Sequence, residues 1–168
     1  MRSDRHILRR EWEDVRADIE RVIREENLLP SEFRPLGIHE DWKAIEEKIY
    51  HSFCQLHDPI ARPTWLWAHF KQPHYAVLVD YPDGFQLLLK LVEPAETVWL
   101  FLEGENNKFW FYEGKIEAIV KVLEENMYVQ EQYIVSKKYE WLLCITHHDV
   151  LYAAGNTMPD RLRQLKES

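Results

Sequence analysis
The stretch Gln132 to Gly155, QYIVSKKYEWLLCITHHDVLYAAG, constrains the fold of this chain more than any other segment. β-Branched, aromatic and aliphatic residues dominate two runs, 131–137 and 140–147, and such side chains suit a pleated, half-buried surface. The link Lys137-Lys138-Tyr139 joins these runs tightly, and VLYAA adds a further short strand that Gly155 ends. Adjacent strands joined this closely pair antiparallel and need a cover over at least one face.

The strand signal extends upstream. TVWLFLE, from Thr97, is apolar on both faces, as expected of a strand covered on both sides. Glu103 to Asn107 is a turn by composition, and KFWFYEG returns as the second arm of a hairpin that Gly114 closes. YAVLVDY, residues 75–81, also predicts a strand. TWLWAHF reads as a short strand with Trp65 and Trp67 on one face and Leu66 on the other. FQLLLKLV admits two readings, a helix capped by Asp83 or an extended run, so residues 64–92 stay open between helix and strand.

Helical periodicity brackets these strands. Leu8, Trp12, Val15, Ile19 and Val22 form one stripe and predict a helix over 4–27, laced by pairs such as Arg16 with Glu20 and Arg21 with Glu25. Residues 28–38 (LLPSEFRPLGI) read as a connection. A second amphipathic helix follows from Ile38 to Phe53, with Trp42, Ile45 and Ile49 on its stripe and His39 to Asp41 in its first turn. QLHDPIARP, residues 55–63, is a loop. Lys115 to Asn126 predicts a further helix burying Ile116, Ile119, Val120 and Leu123. Thr157, Pro159 and Asp160 open a closing helix that buries Leu162 and Leu165. The expectation is an α+β fold: a mostly antiparallel sheet of about five or more strands. N-terminal helices, one inserted helix and a C-terminal helix pack on it. With no repeat or linker in sight, residues 1–168 read as a single domain.

Charge and cysteine usage narrow the function classes. The formal net charge of −8 disfavours nucleic acid and anionic membranes and favours a basic partner. Cys54 and Cys144 show no CxxC spacing, which fits reduced, buried thiols. The opening MRSDRHILRREWEDVR lacks the apolar core of a signal peptide, and no apolar run approaches the roughly 20 residues of a membrane span. A cytoplasmic location follows as the expectation.

The densest set of reactive groups is His147-His148-Asp149, with Cys144 close by. Two histidines and an aspartate suit a divalent metal or acid–base work. The structural alternative is a hairpin turn in which Asp149 bonds the loop backbone. On an extended strand adjacent histidines point to opposite faces, so both meet one ion only where the backbone turns. Cys144 and His148 stand roughly 13 Å apart on such a strand, too far for a thiol and its base. Trp65, Trp67, Trp99, Trp110 and Trp141 suit core packing, with one or two left as interface anchors. Five glycines and no phosphate-binding motif leave no cofactor to expect.

Two resemblances add to this. The run Tyr133 to Gly155, preceded by VWLFL (Val98 to Leu102) and WFYEG (Trp110 to Gly114), resembles an uncharacterised family of bacterial proteins of unknown function, roughly over Trp65 to Gly155. The first helix followed by LPSEF (Leu29 to Phe33) is similar to the opening of SUKH-type immunity proteins. That resemblance implies an α+β protein that binds and neutralises bacterial toxins. The reading is a cytoplasmic, non-enzymatic domain that binds another protein, with toxin immunity as its narrower form. No cofactor, nucleic acid or membrane is expected. The alternative is a metal-dependent hydrolase centred on His147, His148 and Asp149.

Overall fold
The computed structural model describes residues 15–37, 39–56, 65–80, 83–103, 109–125 and 131–167. Helix α1 covers 15–25 of these, followed by β1 (Phe33–Pro35) and α2 (Trp42–Phe53). A 3-10 turn (Leu66–His69) leads to β2 (His74–Leu78) and α3 (Asp83–Leu91). Then come β3 (Val98–Glu103), β4 (Phe109–Gly114), α4 (Ile116–Glu125), β5 (Glu131–Ser136), β6 (Trp141–Ile145), β7 (Val150–Gly155) and α5 (Met158–Glu167). All strands join one antiparallel sheet in the order β1-β4-β3-β5-β6-β7-β2. The fold is α+β, as the sequence predicts.

The alternation of side chains along each strand divides the sheet's neighbours into two layers. Leu100, Leu102, Ile134, Leu143 and Leu151 face α1, α3, α4 and α5. Phe101, Tyr133, Val135, Leu142 and Cys144 face α2 and the 3-10 turn. Every residue of β3 and β5 is buried, as the apolar run Val98–Leu102 predicts for β3, while β5 buries Glu131, Gln132 and Ser136 beside its apolar residues.

Several expectations need correction. The connection 28–38 contains β1: Phe33 is buried and stacks on Tyr112 with ring centroids 5.3 Å apart. Three residues are too few for alternation to show, and pairing with β4 supplies the order. Helix α2 starts at Trp42, because Asp41 caps it by accepting from Ala44 N at 3.1 Å. Trp42 itself is exposed rather than part of the buried stripe, and Ile38 lies outside the described residues. Residues 66–69 form a 3-10 turn instead of a strand. Residues 83–91 resolve as a helix, since Phe85, Leu88 and Leu91 reach the core on one stripe. Residues 4–14, the loop 57–63, the turn 104–107 and Asn126 lie outside the described residues.

At one edge an ion network ties β1 to its neighbours. Arg34 bonds Glu113 through Nε and Glu40 through Nη2, each at 2.6 Å, while Lys137 takes the other Glu113 oxygen. Arg34, with the Gly37 amide, holds the Glu40 carboxyl down at about 2. Burial opposes ionisation of Glu113, yet Lys137 and Arg34 outweigh it and lower its pKa as well. Depressed carboxyls contribute stability above the ordinary carboxylate range and lose it as pH falls through their folded values. Glu113→Gln is therefore expected to flatten the acid limb of a stability–pH curve measured by urea unfolding; an unchanged limb refutes this role.

Gly155 closes β7 at φ +110°, and a Cβ there would stand 2.2 Å from the Glu140 carbonyl oxygen. Gly155→Ala must move the β6 strand start as well as strain its own backbone. A loss of about 2 kcal/mol or more is expected in chemical denaturation.

Candidate functional site
His147, His148 and Asp149 form the loop of the β6–β7 hairpin. Thr146 N donates to Val150 O at 3.0 Å and Asp149 N to Thr146 O at 3.1 Å, with Asp149 in the left-handed region at φ 58°. This is a three-residue hairpin loop, a β-turn followed by one left-handed residue. Thr146, rather than Asp149, supplies the side-chain acceptor: its Oγ1 receives the amides of His148 at 3.2 Å and Val150 at 3.4 Å. Because the backbone turns here, the two imidazoles converge, with ring centroids 3.9 Å apart.

The residue that sequence reasoning missed lies beneath them. Glu131, the first residue of β5, is fully buried and bonds His147 Nδ1 through Oε1. Its Oε2 has no hydrogen-bond partner among the described residues. The Trp67 indole N–H is buried and equally unpartnered; it favours the charged carboxylate without reaching bonding geometry. Directly opposite Glu131 in the β3–β5 register stands Glu103, also buried. Burial dominates over the help from His147, so the Glu131 carboxyl titrates above the ordinary carboxylate range. The one signal in the sequence is parity, which places Glu131 on the face of Tyr133 and Val135 and Glu103 on the face of Phe101.

Aromatic rings roof this corner. Trp65 stacks on Trp67 at 5.9 Å, Trp67 stacks on Tyr152 at 5.7 Å, and Trp67 meets His148 edge-on at 6.2 Å. Trp65 also approaches His147 at 6.1 Å. Trp65 is 45% exposed and holds φ 52°, a left-handed conformation that bulky residues rarely adopt. The other tryptophans divide as the sequence predicts: Trp99 and Trp141 are buried, and Trp110 is partly so.

Cys144, Cys54, His69 and His74 have surroundings of their own. Cys144 is fully buried in one cross-strand row with Tyr133 and Tyr152, and burial pushes its thiol well above the usual range. Cys54 is likewise pushed up to about 12 by burial, so neither thiol ionises near neutrality. His74 bonds the Lys71 carbonyl at 3.2 Å, and His69 lies on the 3-10 turn; His57 and Asp58 lie outside the described residues. Among the described residues no three His, Cys, Asp or Glu side chains converge to hold a metal ion. A separate open groove of about 500 Å³ runs along α2, lined by Leu36, Ile45, Trp99 and Tyr139 and by the Arg34 network. Its cations are largely paired with Glu40 and Glu113.

The arrangement sets an imidazole on a buried carboxylate, beside a second imidazole, under an exposed indole. It can orient a histidine with Nε2 outward, and it offers a flat aromatic surface with hydrogen-bonding edges. No helix among the described residues is long and apolar enough to cross a membrane.

Comparison with known proteins defines the class. The chain belongs to a family of unknown function (DUF6756), whose model matches residues 11–166, a wider span than the quoted motifs suggested. No curated protein and no solved structure matches it.

His147 is the hydrogen-bond partner of Glu131, so removing it strands a buried carboxyl group. His147→Ala is expected to cost about 1–3 kcal/mol in urea unfolding at neutral pH. Adding Glu131→Gln to it should recover part of that loss. Equal, additive losses would show that the two side chains are not coupled. A carboxyl with a raised folded pKa destabilises the native state as pH rises through that value. Glu131→Gln should accordingly remove a stability decline seen in wild type above the ordinary carboxylate range.

Proposed function
We propose that this protein is a non-enzymatic, cytoplasmic binding domain that engages another protein through the corner formed by Trp65, Trp67, His147 and His148. One observation carries the reading: a large indole left substantially exposed, held in a costly backbone conformation and stacked on a second indole. A left-handed conformation costs a non-glycine residue roughly 1–2 kcal/mol. Residues held under such strain concentrate where function requires them. Exposed tryptophans beside hydrogen-bonding groups are the side chains that dominate protein interfaces. The net charge of −8 supports a basic partner, steered to the surface by long-range attraction. The similarity of the first helix and Leu29 to Phe33 to SUKH-type immunity proteins supports a toxin as that partner. Nucleic acid and membrane have no place in this reading.

The test is co-expression with a toxin encoded beside the native gene. Growth rescue is expected, and Trp65→Ala should abolish it while leaving the melting temperature within a few degrees. With purified partner, the same change should weaken binding by about 30-fold or more, the equivalent of a 2 kcal/mol interface anchor. Failure of rescue, or an unaffected Trp65→Ala variant, overturns the proposal. Binding that does not weaken with added salt removes the charge-steering part alone.

A second reading, hydrolysis at the same turn, draws on the Glu131–His147 pair. The metal-dependent form of it requires ligands beyond His147, His148 and Asp149. It predicts that zinc or manganese raises the melting temperature of wild type but not of His147→Ala. Equal melting curves with and without metal sink it.

A further inference from the structure
The two edges of the sheet are built differently. Edge strand β1 has three residues, ends in Pro35, and carries Arg34 locked to Glu40 and Glu113. Shortness, proline and charge are the devices that keep a sheet edge from pairing with other chains. Edge strand β2 (His74–Leu78) has none of them. Its five residues, HYAVL, include no formally charged side chain and no proline, and its register with β7 runs without a bulge. Leu78 is 78% exposed, the most exposed of the large apolar side chains among the described residues.

The hydrogen-bond pattern shows which β2 amides face outward. Val79 N donates to Asp149 O on the β7 side at 2.8 Å. Backbone groups alternate between the two sides of a strand, so Tyr75 and Val77 also bond toward β7. His74, Ala76 and Leu78 therefore turn their N–H and C=O groups away from the sheet. The His74 amide agrees, since it donates to its local neighbour Gln72 Oε1 at 3.3 Å. Among the described residues, no strand pairs with this edge.

We infer that a second copy of this chain covers the edge, β2 pairing antiparallel with β2 about a two-fold axis through Ala76. An antiparallel strand is its own complement when a two-fold axis passes through a residue whose backbone faces outward, and Ala76 is that residue. The register sets Ala76 opposite Ala76 of the second copy, His74 opposite Leu78, and Tyr75 opposite Val77. Every opposed pair is uncharged, so the chain's net charge of −8 places no like charges across the seam. Just beyond the strand the same register sets Gln72 opposite Asp80 of the second copy, so no like charges meet there either. Up to about six new backbone hydrogen bonds form, and the two sheets become one continuous sheet. Leu78 of each copy is drawn against the other's His74. On the reverse face Tyr75, beneath the Arg163 guanidinium of α5 at 4.8 Å, meets Val77 of the second copy. The seam uses none of the Trp65 corner's side chains, although Ala76 neighbours Tyr152, the ring on which Trp67 stacks.

Sedimentation equilibrium on the full chain, from about 1 to 300 μM, tests it, since a short seam of this kind holds in the micromolar range. Wild type is expected to shift from monomer to dimer within that range. Ala76→Pro removes an outward N–H without touching the β7 ladder, a position where an edge strand tolerates proline. Ala76→Lys sets two lysines face to face across the axis. Each change should raise the dimer dissociation constant at least about tenfold with the circular dichroism spectrum unchanged. Trp65→Ala should leave the dimer intact. A wild type that stays monomeric throughout, or a dimer indifferent to Ala76→Lys, overturns the inference. If Ala76→Pro fails to fold, Ala76→Lys alone decides.

Discussion
Burial of β3, β5 and β6 on both faces is the constraint on which the rest of the structure depends. Each strand must present apolar side chains upward and downward, and each face then needs its own cover. One face takes four helices, so α1, α3, α4 and α5 contribute Ile19, Leu88, Ile119 and Leu162 as fully or almost fully buried contacts. The other face takes one helix and a 3-10 turn, with Ile49, Phe53 and Leu66 against Phe101 and Tyr133. That second layer is smaller, and at the β6–β7 turn it narrows to the 3-10 turn, whose Trp67 meets His148 edge-on. Beneath this narrower cover the row of side chains changes from Phe101 and Tyr133 to Glu103 and Glu131, all four of them buried.

This change of row explains the character of the corner. A carboxylate fully out of water needs a partner, and His147 reaches it only because the hairpin loop folds its ring back over β5. The aromatic rings of Trp65, Trp67 and Tyr152 stack beside this pair, in which Glu131 is out of water and His147 partly exposed, and Trp65 is left substantially open. The corner thus combines a well-packed base with an exposed indole at its rim, the feature on which the proposed interface rests. The same corner keeps its imidazole pair oriented by protein groups rather than by solvent.

Much of the sheet was legible from residue order. The apolar run Val98–Leu102 announced a strand covered on both faces, and β-prone runs bounded by turn residues placed β4, β5, β6 and β7. The HHD letters were legible as a hairpin turn, though the acceptor that shapes it is Thr146. Residues 66–69 and β1 were not legible. A single 3-10 turn and a three-residue strand carry too few residues for any period to emerge. Glu131 was hidden for a different reason. Its significance lies in facing Glu103 across β3–β5 and His147 across β5–β6, and strand register is a property of long-range pairing.

The sequence by itself determined the α+β class, the antiparallel sheet, the helix stripes and the membership of the cysteines in the core, because periodicity and composition act locally along the chain. Only the tertiary structure decided that α2 packs on one face, that His147 meets a buried glutamate beside His148 and stacked indoles, and that no other described strand pairs with the outer edge of β2. Those outcomes follow from which strand lies beside which, and that order is set by burying apolar area between distant segments.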